Sequence, residues 1–256
     1  MAIEFANAQA RAQALLGDRL LPADWQLLES SRGLAQYLHA ARGTTLAPFV
    51  KNFTATSTPH VIERSLRGAW RSQVANASRW SPPPWRASIH WTSWLPDLPA
   101  IAYLRNGGTV LPWMTEDLQL ADLSLAEPDV RRRRIDDIGL GETNSSGGVS
   151  DPLQLWLDHW QAMWPAVASA RPGLQRLTRM LWTHRLALQR DNVKPAAAQE
   201  NREKLQQRIA RLMRMQMQQP LTVFCHLAIT SLEMQRLRSG LVRRAFFNEI
   251  DPAGVS

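Results

Sequence analysis

The sequence predicts an all-α protein built from many packed helices. Three observations predict it. Apolar residues recur at three- and four-residue steps along nearly the whole chain. No segment alternates apolar and polar residues as a half-buried strand does. Proline repeatedly stands where a helical pattern starts or stops. With 256 residues, 45% of them hydrophobic, the chain can bury a full-sized core in one large domain or two small ones.

Taken in order, Phe5, Ala8, Ala12, Leu15, Leu16 and Leu20 fall at near-helical spacing over residues 4–21, and Pro22 ends that helix. Trp25, Leu28, Leu34, Tyr37, Leu38 and Ala41 mark a second amphipathic helix closed by Gly43. The turn between the two is short, so they are expected to pack as an antiparallel hairpin. After a Thr/Ser-rich connector, Thr58 suits an N-cap, Pro59 a first turn, and Glu63 stands at capping-box reach. Val61, Ile62, Leu66, Trp70 and Val74 are the expected buried stripe of that third helix.

Pro82–Pro83–Pro84 interrupts the pattern. Two short helical pieces are expected at about 85–95 and 97–105, ended by Gly107–Gly108, and another at 115–125. Residues 127–152 combine four consecutive arginines with glycine, serine and asparagine. Residues 131–150 therefore read as a flexible loop joining a lobe of 1–130 to one of 151–256. Helices return at 152–169 with Leu153, Trp156, Trp160 and Trp164, and at 173–190 with Leu174, Leu177, Leu181 and Leu188. Another, 195–217, carries Leu205, Ile209, Leu212 and Met213. The last helix follows Pro220 and stops near Pro252. Leu221 to Ile229 is almost unbroken apolar sequence, so that half must be sheathed by other helices. Its second half interleaves Leu232, Leu237, Leu241 and Phe246 with Arg236, Arg238, Arg243 and Arg244, which makes it a cationic docking end.

The formal net charge is +8, and lysine occurs only at 51, 194 and 204, so arginine carries nearly all the positive charge. This balance suits anionic partners, although arginine bias is equally a signature of genome composition. The one cysteine, Cys225, lies in the apolar run; it excludes an internal disulfide and a cysteine-based zinc cluster and reads as a small buried hydrophobe. The N-terminus lacks a signal peptide's basic start and apolar core, and no stretch approaches the ~20 apolar residues that span a bilayer. A cytoplasmic protein that lies against a membrane complex is the expectation.

Catalytic chemistry finds no support in the motifs. The chain has no phosphate loop, dinucleotide fingerprint, nucleophile elbow or HExxH. Gly139, Gly141 and Gly147–Gly148 have no strand before them. His39, His60, His90, His159, His184 and His226 include no pair at i, i+4, the spacing that sets two imidazoles on one metal. No cofactor, no metal site and no catalytic residue is expected. Trp156, Trp160 and Trp164 share one helical face and read as a core ridge. Trp80, Trp85, Trp91 and Trp94 flank the proline run, interleaved with Arg71, Arg79 and Arg86, a pattern that base stacking on single-stranded nucleic acid also produces.

The two ends carry a family resemblance. The opening FANAQARAQALLGDRLL, with Phe5, Asn7, Ala8, Arg11, Leu20 and Leu21, is similar to the start of the C/d-type subunits of V/A-type rotary ATPases. Leu34, Tyr37 and Leu38 resemble the end of that family's second helix. In LEMQRLRSGLVRRAFF, Glu233, Arg236, Leu237, Arg238, Leu241, Arg244 and Phe247 resemble its terminal helix. These ends cover about a third of the chain; the tryptophan-rich middle and the RRRR segment match nothing in the family. The resemblance implies a funnel-like assembly of helical lobes, here with a lobe reduced or missing because the chain is short. It implies a non-catalytic subunit that couples the central stalk to the membrane rotor ring for ion transport. Arg236, Arg238, Arg243 and Arg244 are then candidates for a subunit interface or a salt-bridged helical layer. The alternative is a stand-alone basic helical protein that binds nucleic acid; a helical adaptor in secretion or assembly is a third reading.

Overall fold

A computed structural model of the chain describes residues 5–141, 151–189, 195–216 and 218–250. Its helices are α1 Ala6–Gly17, α2 Pro22–Ser30, α3 Leu34–Arg42, α4 Ala47–Val50, α5 Pro59–Trp80, α6 Pro83–Trp91 and, after a 3-10 segment Thr92–Asp97, α7 Leu98–Arg105. There follow α8 Pro112–Thr115, α9 Ala121–Ser124, α10 Pro128–Asp137, α11 Pro152–Ala162, α12 Arg171–Leu188, α13 Pro195–Met215 and α14 Leu221–Ile250. No strand occurs among the described residues. The all-α expectation holds.

The chain divides into two compact units. The first combines Met1–Pro83 with Val167–Ser256, and the second is the continuous stretch Pro84–Ala166. This differs from the expected lobes of 1–130 and 151–256. Arg131–Arg134 lie not in a loop but in α10. Pro128 and Asp129 open that helix, and Arg131 holds it to the preceding turn by donating to the carbonyls of Leu123, Ser124 and Ala126. The rest of the expected loop, 142–150, lies outside the described residues.

The first unit is organised on α14. Val223, Phe224, Cys225, Leu227 and Ile229 are buried on every side of its first half, and α5, α13, α1, α3 and α12 pack against it. α5 contributes Ile62, Leu66, Trp70, Val74 and Ala77. Val61, expected in that stripe, is 39% exposed instead. Thr58 does cap α5, accepting from the Val61 N–H at 3.4 Å, but Glu63 turns away from the cap and pairs with Arg238. The first helix of the expected hairpin, α1, and the last part of the second, α3, each pack on α14. That second helix is broken, at Ser31–Gly33, for a reason given below. With only six residues between α12 and α13, two packed helices about 30 Å long must run antiparallel.

The second unit is pinned by indole hydrogen bonds. Trp91 Nε1 donates to the Trp156 carbonyl at 3.1 Å, and Trp156 Nε1 donates back to the Trp91 carbonyl at 3.2 Å. Trp160 Nε1 reaches the Ser88 carbonyl at 3.1 Å. The Trp156 and Trp160 rings stack at 5.5 Å, and Trp164 meets Trp160 edge-on at 4.9 Å. The core ridge expected from the spacing is present. Of the proline-flanking tryptophans, Trp85 and Trp91 are buried and Trp80 and Trp94 are half-buried. Instead of the expected helix over 115–125, two single turns, α8 and α9, form.

Candidate functional site

The polar residues of the first unit converge on α14, and their geometry follows its turns. Near the middle, Arg19 Nη1 lies 3.3 Å from Glu233 Oε2, while its other terminal nitrogen donates to Thr230 Oγ1 at 3.1 Å. Gln206 Nε2 donates to Glu233 Oε1 at 3.2 Å. Burial pushes the Glu233 carboxyl above the usual carboxylate range, and Arg19 pulls it back only in part. Burial likewise lowers Arg19, with Glu233 offsetting some of it; a guanidinium nevertheless stays charged.

One turn on, Arg236 grips Glu29 in a two-pronged pair, Nε to Oε1 at 2.6 Å and Nη2 to Oε2 at 2.9 Å. Its Nη1 donates to Glu203 at 3.1 Å, and its guanidinium lies 4.6 Å above the Trp25 ring. This one side chain therefore ties α2, α13 and α14 together. Such forked, charge-assisted bonds are about twice as strong as neutral ones.

Arg244 goes furthest inside, at 3% exposure. It donates to the Ser31 carbonyl from Nε at 3.0 Å and from Nη2 at 2.7 Å, to the Glu29 carbonyl at 2.8 Å, and to the Gly240 carbonyl at 2.9 Å. Its guanidinium covers the Tyr37 ring at 4.2 Å. A cation bonded to the last carbonyls of α2 ends that helix favourably, which explains the break at Ser31–Gly33. Tyr37 is fully buried; burial above all, against the opposing pull of Arg244, pushes its phenol up to about 12.

The four predicted interface arginines thus have unequal fates. Arg236 pairs with Glu29 and Glu203 and Arg238 with Glu63, which makes a salt-bridged helical layer of these two, whereas Arg244 is buried and bonds only to backbone carbonyls. Arg243 alone of the four is exposed with no ion pair among the described residues. Phe246, expected in the apolar stripe, is 52% exposed, and Phe247 is 63% exposed. Among the described side chains, those turned outward near the end of α14 include Arg243, Phe246 and Phe247.

Two buried groups on α14 have no catalytic geometry. Burial raises the Cys225 thiol. His226 packs beside the Trp80 ring, 6.0 Å between centroids, with no hydrogen-bond partner on either ring nitrogen. Burial and, second, the charge of Arg19 lower it to about 4.

In the second unit a cleft of about 350 Å³ is lined by Asp136, Gly139, Gly141, Leu155, Asp158, His159 and Ala162. Gly139 has φ +80°, and a Cβ there would fall 2.4 Å from His159 Nδ1. A Cβ on Gly141 would fall 1.7 Å from Asp136 Oδ1. The two glycines let backbone approach these side chains, and the carboxylates are the wrong charge for a phosphate. Among the described residues no group of three or more His, Cys, Asp and Glu side chains is placed to hold a metal ion. Nor is any helix there long and apolar enough to cross a membrane. No family model matches the chain, and no curated protein matches it either.

Proposed function

We propose that the chain is a non-catalytic coupling subunit, joining a central stalk to the membrane rotor ring of a V/A-type rotary ATPase. One observation carries this reading: the chain ends that bear the resemblance, far apart in sequence, bind each other through the resembling positions. Tyr37 lies under Arg244, and Leu34, Leu38, Leu237 and Leu241 are buried in the unit that α14 organises. Arg236 of one end grips Glu29 between the resembling positions of the other. Torque transfer needs a stiff body, and a helix of 30 residues, locked by ionic layers at two levels, supplies one. The nucleic-acid reading keeps less support, because Trp85 and Trp91 are buried and Trp80 and Trp94 are half-buried, so none of the four rings offers an open face for base stacking.

Under this reading the partner contact is made by Arg243, Phe246 and Phe247, not by Arg236 or Arg244. Aromatic anchors beside an arginine are the composition of an interface hot spot. Tagged chain purified from its native cells should carry ring or stalk subunits with it. The combined change Arg243→Glu and Phe247→Ala should abolish their recovery while leaving the melting temperature of the isolated chain unchanged. Purification of the unaltered chain without any ring or stalk subunit overturns the proposal.

A further inference from the structure

The antiparallel pair α12 and α13 turns its apolar residues to the core and a row of arginines outward. On α12, Leu174 and Leu177 are buried, whereas Arg171, Arg176 and Arg179 are exposed. On α13, Leu205, Ile209, Leu212 and Met213 are buried, whereas Arg208, Arg211 and Arg214 are exposed. The antiparallel arrangement brings the first half of α12 beside the second half of α13, so all six arginines gather at one end of the pair. Packed helices lie roughly 8–10 Å apart, close enough for the two rows to act as one surface.

Nothing on these helices neutralises that surface. α12 contains no acidic residue, and the two on α13, Glu200 and Glu203, are engaged by Lys204 and Arg236. None of the six arginines makes an ion pair among the described residues. Six like charges on adjacent rows repel one another, an arrangement that an anionic partner relieves.

The surroundings of the arginines select the partner. Pro172, Gln175, Thr183, Lys204 and Gln207 are exposed between and beside them, so the face has no large apolar centre of the kind that protein interfaces desolvate. It also presents no exposed aromatic ring on which a base would stack. The exposed apolar side chains of these helices, Leu186 at 49% and Met215 at 64%, stand at opposite ends of the patch. A broad two-helix face with a cationic centre and apolar residues at its margins matches the headgroup layer of a bilayer, where cations meet phosphate and apolar side chains reach the acyl boundary.

We infer that the arginine face of α12 and α13 docks on anionic phospholipid membrane. This inference stands on that face alone and goes beyond the rotary-ATPase reading, which concerns the end of α14. The test is co-sedimentation of the purified chain with phosphatidylcholine vesicles, with and without phosphatidylserine. Binding is expected only with phosphatidylserine, and is expected to fade as salt screens the surface. Each arginine removed should weaken it about five-fold. The variant Arg176→Glu, Arg179→Glu, Arg211→Glu should therefore lose on the order of a hundredfold or more. Because all three side chains are exposed, its helical circular dichroism should be unchanged; the milder Arg208→Gln, Arg214→Gln pair gives a second, smaller loss. Arg132→Glu with Arg133→Glu, exposed on α10, makes nearly the same kind of charge change elsewhere and should leave binding intact. The inference is overturned by absence of phosphatidylserine-dependent binding, by an equal loss in the α10 control, or by a DNA duplex that strips the chain from vesicles.

Discussion

His226 stands in the apolar half of α14 with a polar ring and no polar partner. A buried imidazole in that position remains neutral, and its pKa of about 4 lies below the value of 6.5 expected in the unfolded chain. The unfolded state therefore binds the proton first. Stability contributed by this group is complete above about pH 6.5, declines as pH falls between 6.5 and 4, and is fully lost below about 4. The increment is on the order of 3 kcal/mol. Arg19 faces the same region and deepens the effect, whereas Glu233, raised by burial, has the opposite sign and contributes more in acid than at neutral pH. Replacing His226 with Leu should leave the neutral-pH melting temperature nearly unchanged and flatten its fall across that acid interval. An unaltered pH profile of melting would assign the acid sensitivity to another group.

At the level of the element, α3 and α14 approach closely at Gly240. A Cβ on Gly240 would fall 2.5 Å from the Tyr37 hydroxyl and 2.8 Å from its ring. Tyr37 cannot swing aside, since it is fully buried beneath Arg244. In a helix interior alanine outranks glycine by about 1 kcal/mol, so on propensity alone Gly240→Ala should stabilise. Overpacking of this kind costs about 1–3 kcal/mol, and the contact is short enough that the clash prevails. Gly240→Ala should lower the unfolding free energy in a urea titration, and Gly240→Ala with Tyr37→Phe should recover part of it. Had the alanine stabilised the chain, the helices would have to stand farther apart than described.

Much of the helix inventory was legible because proline marks it. Pro59, Pro128, Pro152 and Pro195 each stand at the first position of a helix. The buried faces of α12 and α13 were also legible, since Leu174, Leu177, Leu205 and Ile209 repeat at helical spacing. Two features were not. The break between α2 and α3 is made by Arg244, whose guanidinium arrives from more than two hundred residues away in sequence to cap the carbonyls of Glu29 and Ser31. Local pattern holds no trace of that. α10 was hidden for the opposite reason: its start signals, Pro128 and Asp129, are present, but the glycine- and serine-rich residues that follow outweigh them. For the site, periodicity placed Arg236, Arg238, Arg243 and Arg244 together on the polar side of α14. It could not tell which of them had an inward partner, because Glu29, Glu63 and Glu203 belong to other helices.

For the molecule as a whole, burial is uneven. α14 is packed against α1, α3, α5, α12 and α13, and its first half is buried on nearly every side, whereas α8 and α9 are single turns with Leu118 and Leu125 in solvent. Local opening draws on such differences in burial. Native-state hydrogen exchange should therefore find the slowest amides between Val223 and Leu232, opening only with global unfolding of their unit. Amides of 112–125 should exchange by small fluctuations. Faster exchange in α14 than in α5 would contradict its place as the organising helix.

The arrangement of the first unit also bears on how a ribosome delivers it. Its core helix is the last to emerge, roughly 140 residues after the end of α5, which at 5–20 residues per second is a delay on the order of ten seconds. Through that interval Leu34, Tyr37, Leu38, Ile62 and Val74 have been made and the face that covers them has not. The continuous stretch from Pro84 to Ala166 waits only about half as long, since Trp156 and Trp160 follow the residues they lock, Trp91 and Ser88, by 65 and 72 positions. Nascent chains stalled before Leu221 should thus be the form most dependent on a chaperone, and the arrival of α14 is the event that releases them.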